Sequence, residues 1–141
     1  MEAKRQIWHV RDKRRLLIAV MEELAGSAHI SFEGDLTQLS LASLAGASEL
    51  ETPALQRNTL SPRQDFVVLP LAVAGIHSII AAIGGTVPRS IIHVQIEKNN
   101  VLELGFYDHF HPDAMFFGQA FTPSLLERFE SDGMLRKSRG H

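Results

Sequence analysis

Apolar and polar residues alternate along two neighbouring segments between residues 91 and 107. A period of two is typical of a β-strand that buries one face. The two alternating segments are separated by a short polar stretch, so residues 90–108 predict a β-hairpin. We expect its buried face to hold six apolar side chains, Ile92, Val94, Ile96, Leu102, Leu104 and Phe106.

The tip of this hairpin is compatible with two loop lengths. Asn99-Asn100 suggests a two-residue turn, but such a turn pairs Ile96 with Glu103 and places a carboxylate among apolar residues. A loop that also includes the preceding lysine pairs Ile96 with Leu102 instead. Because a one-residue slip moves every side chain of a strand to the opposite face, the apolar pattern favours the three-residue loop.

Three other segments have the period of a helix. Apolar residues in 12–25 recur every three to four positions, which predicts an amphipathic helix behind an N-capping aspartate. Residues 71–83 are apolar on nearly every side, which predicts a buried helix. Residues 123–132 begin with Pro123 after Thr122, an arrangement typical of a helix start. A glycine follows each helix closely, as is common at helix C-termini.

The remaining segments predict further strands and one long loop. Residues 28–33 alternate, residues 66–69 form a short apolar run, and a third apolar run follows the hairpin directly. Residues 45–64 have no period and contain two prolines, and long loops of this kind are often functional. The order of elements predicts an α+β two-layer sandwich, with helices packed on a mainly antiparallel sheet of about four or five strands.

Length and composition are those of an ordinary globular protein. We expect 141 residues to form one domain, residues 1–141, and the chain is 45% apolar and 21% charged. It has no cysteine, which excludes disulfides and thiolate ligands and fits a reducing compartment. The apolar run at residues 16–21 is too short for a secretory or membrane segment. We therefore expect a cytoplasmic protein with no membrane attachment.

The charge is distributed unevenly along the chain. Residues 1–15 carry six Lys/Arg against two acids and residues 136–141 carry three Lys/Arg, whereas the middle has a net charge of −9. We expect residues 1–8 and 136–141 to be frayed basic ends. Lys13, Arg14 and Arg15 stand in the first turn of the predicted helix, where the dipole disfavours cations, and we interpret them, together with Arg11 before the cap, as candidate contacts for an anionic partner. The alternative is a solubilising surface.

The densest group of reactive side chains follows the hairpin and comprises Asp108, His109, His111 and Asp113. Two histidines at i and i+2 of an extended segment project to one side, and imidazole with carboxylate suits Zn²⁺ or Mn²⁺. A closed site needs further ligands, for which His29 and His93 are available. The alternative is a structural turn whose aspartates bind backbone amides.

Two functions follow from these patterns. The first is a small cytoplasmic binding protein without catalysis, a regulatory or immunity-type module that binds a protein partner or a second copy of itself through residues 45–64 or the polar hairpin face. Self-association is expected because Ile91 and Tyr107 present apolar area on the outer face of the hairpin. The second is a metal-dependent hydrolase that uses the four residues after the hairpin. A metal-free alternative is acid–base chemistry by Glu103 beside Gln95 and His93. The pI of about 6.4 argues against nucleic-acid binding.

Overall fold

The computed structural model describes residues 6–138, which contain three α-helices and seven β-strands. The strands are β1 (Trp8–Val10), β2 (Ala28–Gly34), β3 (Asp65–Leu71), β4 (Ile91–Lys98), β5 (Val101–Phe106), β6 (Met115–Phe117) and β7 (Leu135–Lys137). The helices are α1 (Lys13–Leu24), α2 (Ile76–Ile83) and α3 (Pro123–Ser131). None of these helices is long and apolar enough to cross a membrane.

Five strands form one antiparallel sheet in the order β3-β2-β4-β5-β6. All three helices contribute to one hydrophobic core, which lies on the sheet face that presents Ile30, Phe32, Val94, Ile96 and Phe106. The predicted α+β class, with helices packed on an antiparallel sheet, is confirmed.

The two ends of the described chain pair with each other. Strands β1 and β7 form a separate antiparallel pair in which Trp8 lies opposite Lys137. Trp8 and Leu135 are buried in the main core, and this burial holds the pair in place. The prediction of frayed ends is therefore wrong for Trp8 and for residues 136 and 137, while residues 1–5 and 139–141 lie outside the described residues.

Helix α2 begins later than its apolar pattern predicts. Residues 71–83 were expected to be helical, but Leu71 pairs with Ala28 as the last residue of β3, and a 3₁₀ turn, Val73–Gly75, precedes the helix. Sheet pairing of Leu71 outweighs the helical period of the local sequence. Pro70 is tolerated inside β3 because this strand lies at the edge of the sheet.

The hairpin turns through two residues, and the predicted three-residue loop is wrong. Lys98 pairs with Val101 across Asn99 and Asn100, whose φ angles are 53° and 67°. Positive φ at both central residues defines the type I′ turn that suits the twist of a hairpin, and asparagine tolerates this conformation better than most residues.

A β-bulge restores the apolar register that the two-residue turn would otherwise break. Glu97 lies opposite Leu102 and Ile96 lies opposite Leu104, so Glu103 is an extra residue in β5. Ile96 and Leu104 are both fully buried in the main core, whereas Leu102 packs on the opposite face of the sheet. The turn chemistry and the burial of apolar residues are thus both satisfied.

A second bulge lies where β4 begins beside β2. His93 pairs with Glu33 and Ile91 pairs with Gly34, so Ile92 is the extra residue. Gly34 has a φ of +149°, and a Cβ at this position would clash with the backbone carbonyl of Ser90. Because of this bulge Ile91 is 0% exposed, so it does not lie on the outer face, where the prediction of self-association placed it together with Tyr107.

Residues 45–64, which we call the clamped loop, cover the sheet face opposite the helices. Ser48 forms two backbone hydrogen bonds with Val68 in the edge strand β3, of 2.9 and 2.7 Å. Leu55 is fully buried in a small apolar cluster with Phe66 and Val68, against which Leu102 also packs. The sheet therefore lies between a layer of helices and an irregular but well-packed loop.

Candidate functional site

A buried polar cluster lies between the sheet and the clamped loop. Alternation along β2 and β4 places its members on the face away from the helices, and each is at most 5% exposed: Ser31, Glu33, His93, Gln95 and Glu97. Polar groups at this depth are costly unless they are hydrogen-bonded, so their partners indicate what the cluster does.

Glu33 binds the backbone of the clamped loop. Its Oε1 accepts a hydrogen bond from the N–H of Asn58 at 2.8 Å, and its Oε2 accepts one from the N–H of Thr59 at 3.1 Å. Glu33 is only 1% exposed. Hydrogen bonds to an ionised carboxylate are among the stronger ones in proteins, so Glu33 anchors this part of the loop to the sheet.

His93 makes a second connection to the same loop. Its Nδ1 accepts a hydrogen bond from the N–H of Asp108 at 3.2 Å, and its Nε2 lies 2.7 Å from Oγ1 of Thr59. Since Nδ1 acts as an acceptor, the neutral ring carries its proton on Nε2 and donates it to Thr59. The imidazole also packs edge-on against Tyr107, with ring centroids 5.6 Å apart.

Gln95 completes the connections to the loop. Its Nε2 donates to the backbone oxygen of Gln56 at 2.9 Å, and its Oε1 accepts a hydrogen bond of 3.1 Å from the hydroxyl of Tyr107. Burial raises the pKa of Tyr107 above its ordinary value of 10.0, which keeps the phenol protonated as the donor. Three side chains of the sheet thus hold the loop at three of its residues, Gln56, Asn58 and Thr59.

Glu97 belongs to the other end of this face. Its Oε1 lies 2.6 Å from Nδ1 of His29, and its Oε2 accepts a hydrogen bond of 2.7 Å from the N–H of Asn100. The predicted acid–base residue Glu103 is displaced by the bulge and accepts a hydrogen bond from Ala120 instead. The carboxylate that lies directly opposite His93 is that of Glu33 in the neighbouring strand β2, whereas the predicted register placed Glu103 opposite Gln95.

The four predicted metal ligands do not share one extended segment, because Asp108 and His109 lie in a left-handed turn while His111 caps, and Asp113 lies in, the 3₁₀ turn Pro112–Ala114 that follows it. The φ angles of Asp108, His109 and Phe110 are 51°, 54° and 62°, and the N–H of His111 donates to the oxygen of Tyr107 at 3.1 Å. The two histidines are therefore not arranged at i and i+2 of a strand, as the metal-site prediction assumed.

The histidines of this turn are bonded to nearby backbone. His109 Nδ1 donates to the oxygen of Ile91 at 2.9 Å, and His111 Nδ1 accepts a hydrogen bond of 3.1 Å from the N–H of Asp113. Partial burial lowers the pKa of His109, and the cations Lys13 and Arg89 lower it further, against the hydrogen bond to Ile91. Residues 6–138 contain no group of three or more His, Asp or Glu side chains that could hold a metal ion.

Two of the four predicted anion contacts connect α1 to the other helices. Arg14 Nε donates to the oxygen of Gly84 at 3.1 Å, and Arg15 Nη2 donates to the oxygen of Asp132 at 2.9 Å. These carbonyls follow the C-termini of α2 and α3, where cations are favourable. Arg11 is exposed, and Lys13 is partly buried at the start of α1. Contact of these four residues with an anionic partner remains a prediction.

The clamped loop exposes two large apolar side chains although it is firmly held. Leu50 and Leu60 are 76% and 80% exposed. Between them, Arg57 lies over the ring of Phe66 at 4.9 Å and reaches Glu51 at 3.7 Å. The sequence predicts a functional loop at this place, but it does not reveal the buried anchors because these lie in distant strands.

No protein-family model, no curated protein and no solved structure matches this chain.

Proposed function

We propose that the protein is a small cytoplasmic binding module without catalysis, of a regulatory or immunity type. The clamped loop is its recognition surface, and its ligand is another protein. Leu50 and Leu60 are the apolar side chains that pack against the partner. The sheet with its buried polar cluster is the scaffold that holds the loop.

The fixation of the clamped loop is the observation that carries this proposal. Ordering a backbone costs about 1–2 kcal/mol per residue, yet this loop is held by a β-bridge at Ser48, a buried Leu55 and the charge-assisted hydrogen bonds of Glu33. A binding loop that is ordered in advance loses less entropy when its partner docks. The exposed leucines are thereby presented in a fixed geometry.

The state of the polar cluster favours binding over catalysis. Glu33, His93 and Gln95 are covered by the loop, and their polar atoms are engaged by backbone amides, a carbonyl and three hydroxyls. A general acid or base must reach its substrate directly or through one water. These side chains are instead the supports of the loop.

The proposal is tested by comparing three proteins on an affinity matrix. These are the wild type, the double variant Leu50→Ser/Leu60→Ser, and the control Val101→Ser, which changes an apolar residue that is 56% exposed at the hairpin tip. Proteins retained from a lysate of the producing cells are identified by mass spectrometry. The partner is then purified and titrated against each protein by calorimetry.

We expect the wild type and Val101→Ser to bind the purified partner equally, and the double variant to bind it at least about tenfold more weakly. Circular dichroism checks that all three proteins have the same fold. Equal binding by the double variant would overturn the assignment of the loop. The assignment would also be overturned if the wild type retained no protein that the double variant loses.

A further inference from the structure

The outward face of α1 carries its charges in two separated blocks. Arg14 and Arg15 lie in the first turn and Glu22 and Glu23 in the last turn, with Ile18 and Ala19 between them. The helix has no acidic residue in its first turn and no basic residue in its last turn. This order opposes the helix dipole, which favours acids at the N-terminus and bases at the C-terminus.

These charges have no partners along their own helix. Residues four apart are neighbours on a helix surface. Ile18 and Ala19 lie four positions after the arginines and four positions before the glutamates, so the neighbour of each charge is apolar. None of the four side chains forms an ion pair with another residue between 6 and 138. Each arginine donates one hydrogen bond to a carbonyl and keeps its other N–H groups available.

The charge patterns of two α1 helices are complementary when the helices run in opposite directions. The arginine pair and the glutamate pair lie at equal distances, about 6 Å along the helix axis, on either side of the small apolar centre. A second α1 that packs antiparallel about a two-fold axis at Ile18 and Ala19 sets the arginines of each copy against the glutamates of the other. Such an isologous contact is the commonest symmetry of homo-oligomers.

The surface beside α1 has the shape and the apolar character that such packing needs. A groove between α1 and α2 is lined by four apolar residues, Ile18, Val73, Ile76 and Ile80, and by His77, and it is flanked by Arg14 and Glu22. Val73 is 74% exposed at its rim. Helices pack at 8–10 Å when the residues at the contact allow it, and the small Ala19 permits this approach.

We infer that the outer face of α1 is a self-association surface and that its occupant is a second copy of this chain, packed antiparallel. The contact joins α1 and α2 of the two copies. It lies on the helical side of the sheet, away from the clamped loop, so it does not depend on the function proposed for that loop.

The test uses two charge-reversed variants and their mixture. A basic variant carries Glu22→Arg and Glu23→Arg, and an acidic variant carries Arg14→Glu and Arg15→Glu. Sedimentation equilibrium is measured from 10 µM to about 1 mM at low salt for each protein and for the equimolar mixture. A control, Glu49→Arg/Arg63→Glu, reverses two exposed charges away from α1.

We expect the wild type and the control to dimerise and each reversed variant to dissociate at least about 30-fold more readily. The mixture of the two variants should form a heterodimer, because the acidic face of one meets the basic face of the other. Dissociation of the wild type should also increase with salt, since exposed ion pairs are screened.

Three results would overturn the inference: a wild type that is monomeric at 1 mM, a basic variant as dimeric as the wild type, or a mixture of folded variants that stays monomeric. Circular dichroism reports whether each variant folds. If the acidic variant does not fold, the single reversals Arg15→Glu and Glu23→Arg replace the two variants and are mixed in the same way, with the same criteria.

Discussion

Glu33 and Gly34 determine the local geometry of the buried cluster from two adjacent positions. Glu33 supplies the carboxylate that binds the loop amides, while Gly34 permits the close approach of the Ser90 carbonyl at the bulge. The bulge comes directly after the Glu33–His93 pair, which therefore keeps its regular register. The buried carboxylate of Glu33 requires hydrogen-bond donors. The position of Gly34 requires a residue without a Cβ.

Replacing the Glu33 carboxylate by an amide tests its role as the anchor of the loop. In Glu33→Gln, one oxygen is exchanged for an N–H donor that faces a backbone donor. We expect the free energy of unfolding to fall by about 1–3 kcal/mol, measured by urea denaturation. The exposed residue Glu49 offers a matched control, because Glu49→Gln should change stability by less than about 0.5 kcal/mol. A Glu33→Gln protein as stable as this control would contradict the role of the carboxylate.

At the scale of elements, the hairpin shows how a turn and a strand pattern can both be satisfied. The apolar pattern alone favours a longer loop, because a regular two-residue hairpin places Glu103 opposite Ile96. The structure instead keeps the Asn99-Asn100 turn and inserts Glu103 as a bulge. A pattern of alternation predicts which residues are buried, but it does not reveal where an extra residue is accommodated.

The two-residue turn can be tested at Asn99, where the two loops differ. In the type I′ turn this residue has a φ of 53°, so Asn99→Ala should reduce the free energy of unfolding by about 1 kcal/mol. Asn99→Gly removes the same side chain but tolerates positive φ, and its stability should equal or exceed that of the wild type. Equal thermal stability of the alanine and glycine variants would argue for a loop in which Asn99 has negative φ.

At the scale of the whole molecule, the sheet separates two surfaces. The helices and the outer face of α1 lie on one side, and the clamped loop lies on the other. The arginines of α1 connect it to the ends of α2 and α3, and Lys98 Nζ donates to the oxygens of Leu24, Ala25 and Gly26 at its C-terminus at 2.9, 3.1 and 2.7 Å. A partner on one side therefore leaves the other side accessible.

This separation predicts that the two proposed interactions are independent. The basic variant Glu22→Arg/Glu23→Arg should bind the partner of the clamped loop within about threefold of wild-type affinity per chain, because distant sites usually contribute additively. Conversely, Leu50→Ser/Leu60→Ser should dimerise like the wild type. Calorimetry and sedimentation equilibrium measure the two effects. Loss of both interactions in either variant would show that the surfaces are coupled.

The sequence by itself determined the features that depend on neighbours along the chain. The period of residues 12–25 and the cap and proline at Thr122 and Pro123 predict α1 and α3 nearly to the residue, and alternation predicts β2, β4 and β5. The α+β class follows from these elements. The apolar face of a helix or strand is formed by residues at a regular spacing along the chain, so it can be recognised from the sequence.

Only the tertiary structure decided the rest, because it depends on contacts between distant segments. Pairing of β1 with β7, the two bulges, and the position of Ile91 in the core depend on which strand lies alongside. The left-handed turn at residues 108–110 replaces the extended segment that the metal-site prediction assumed, and Glu33 meets its loop partners 25 and 26 residues away. A buried carboxylate needs donors that no local pattern supplies, and here the clamped loop provides them.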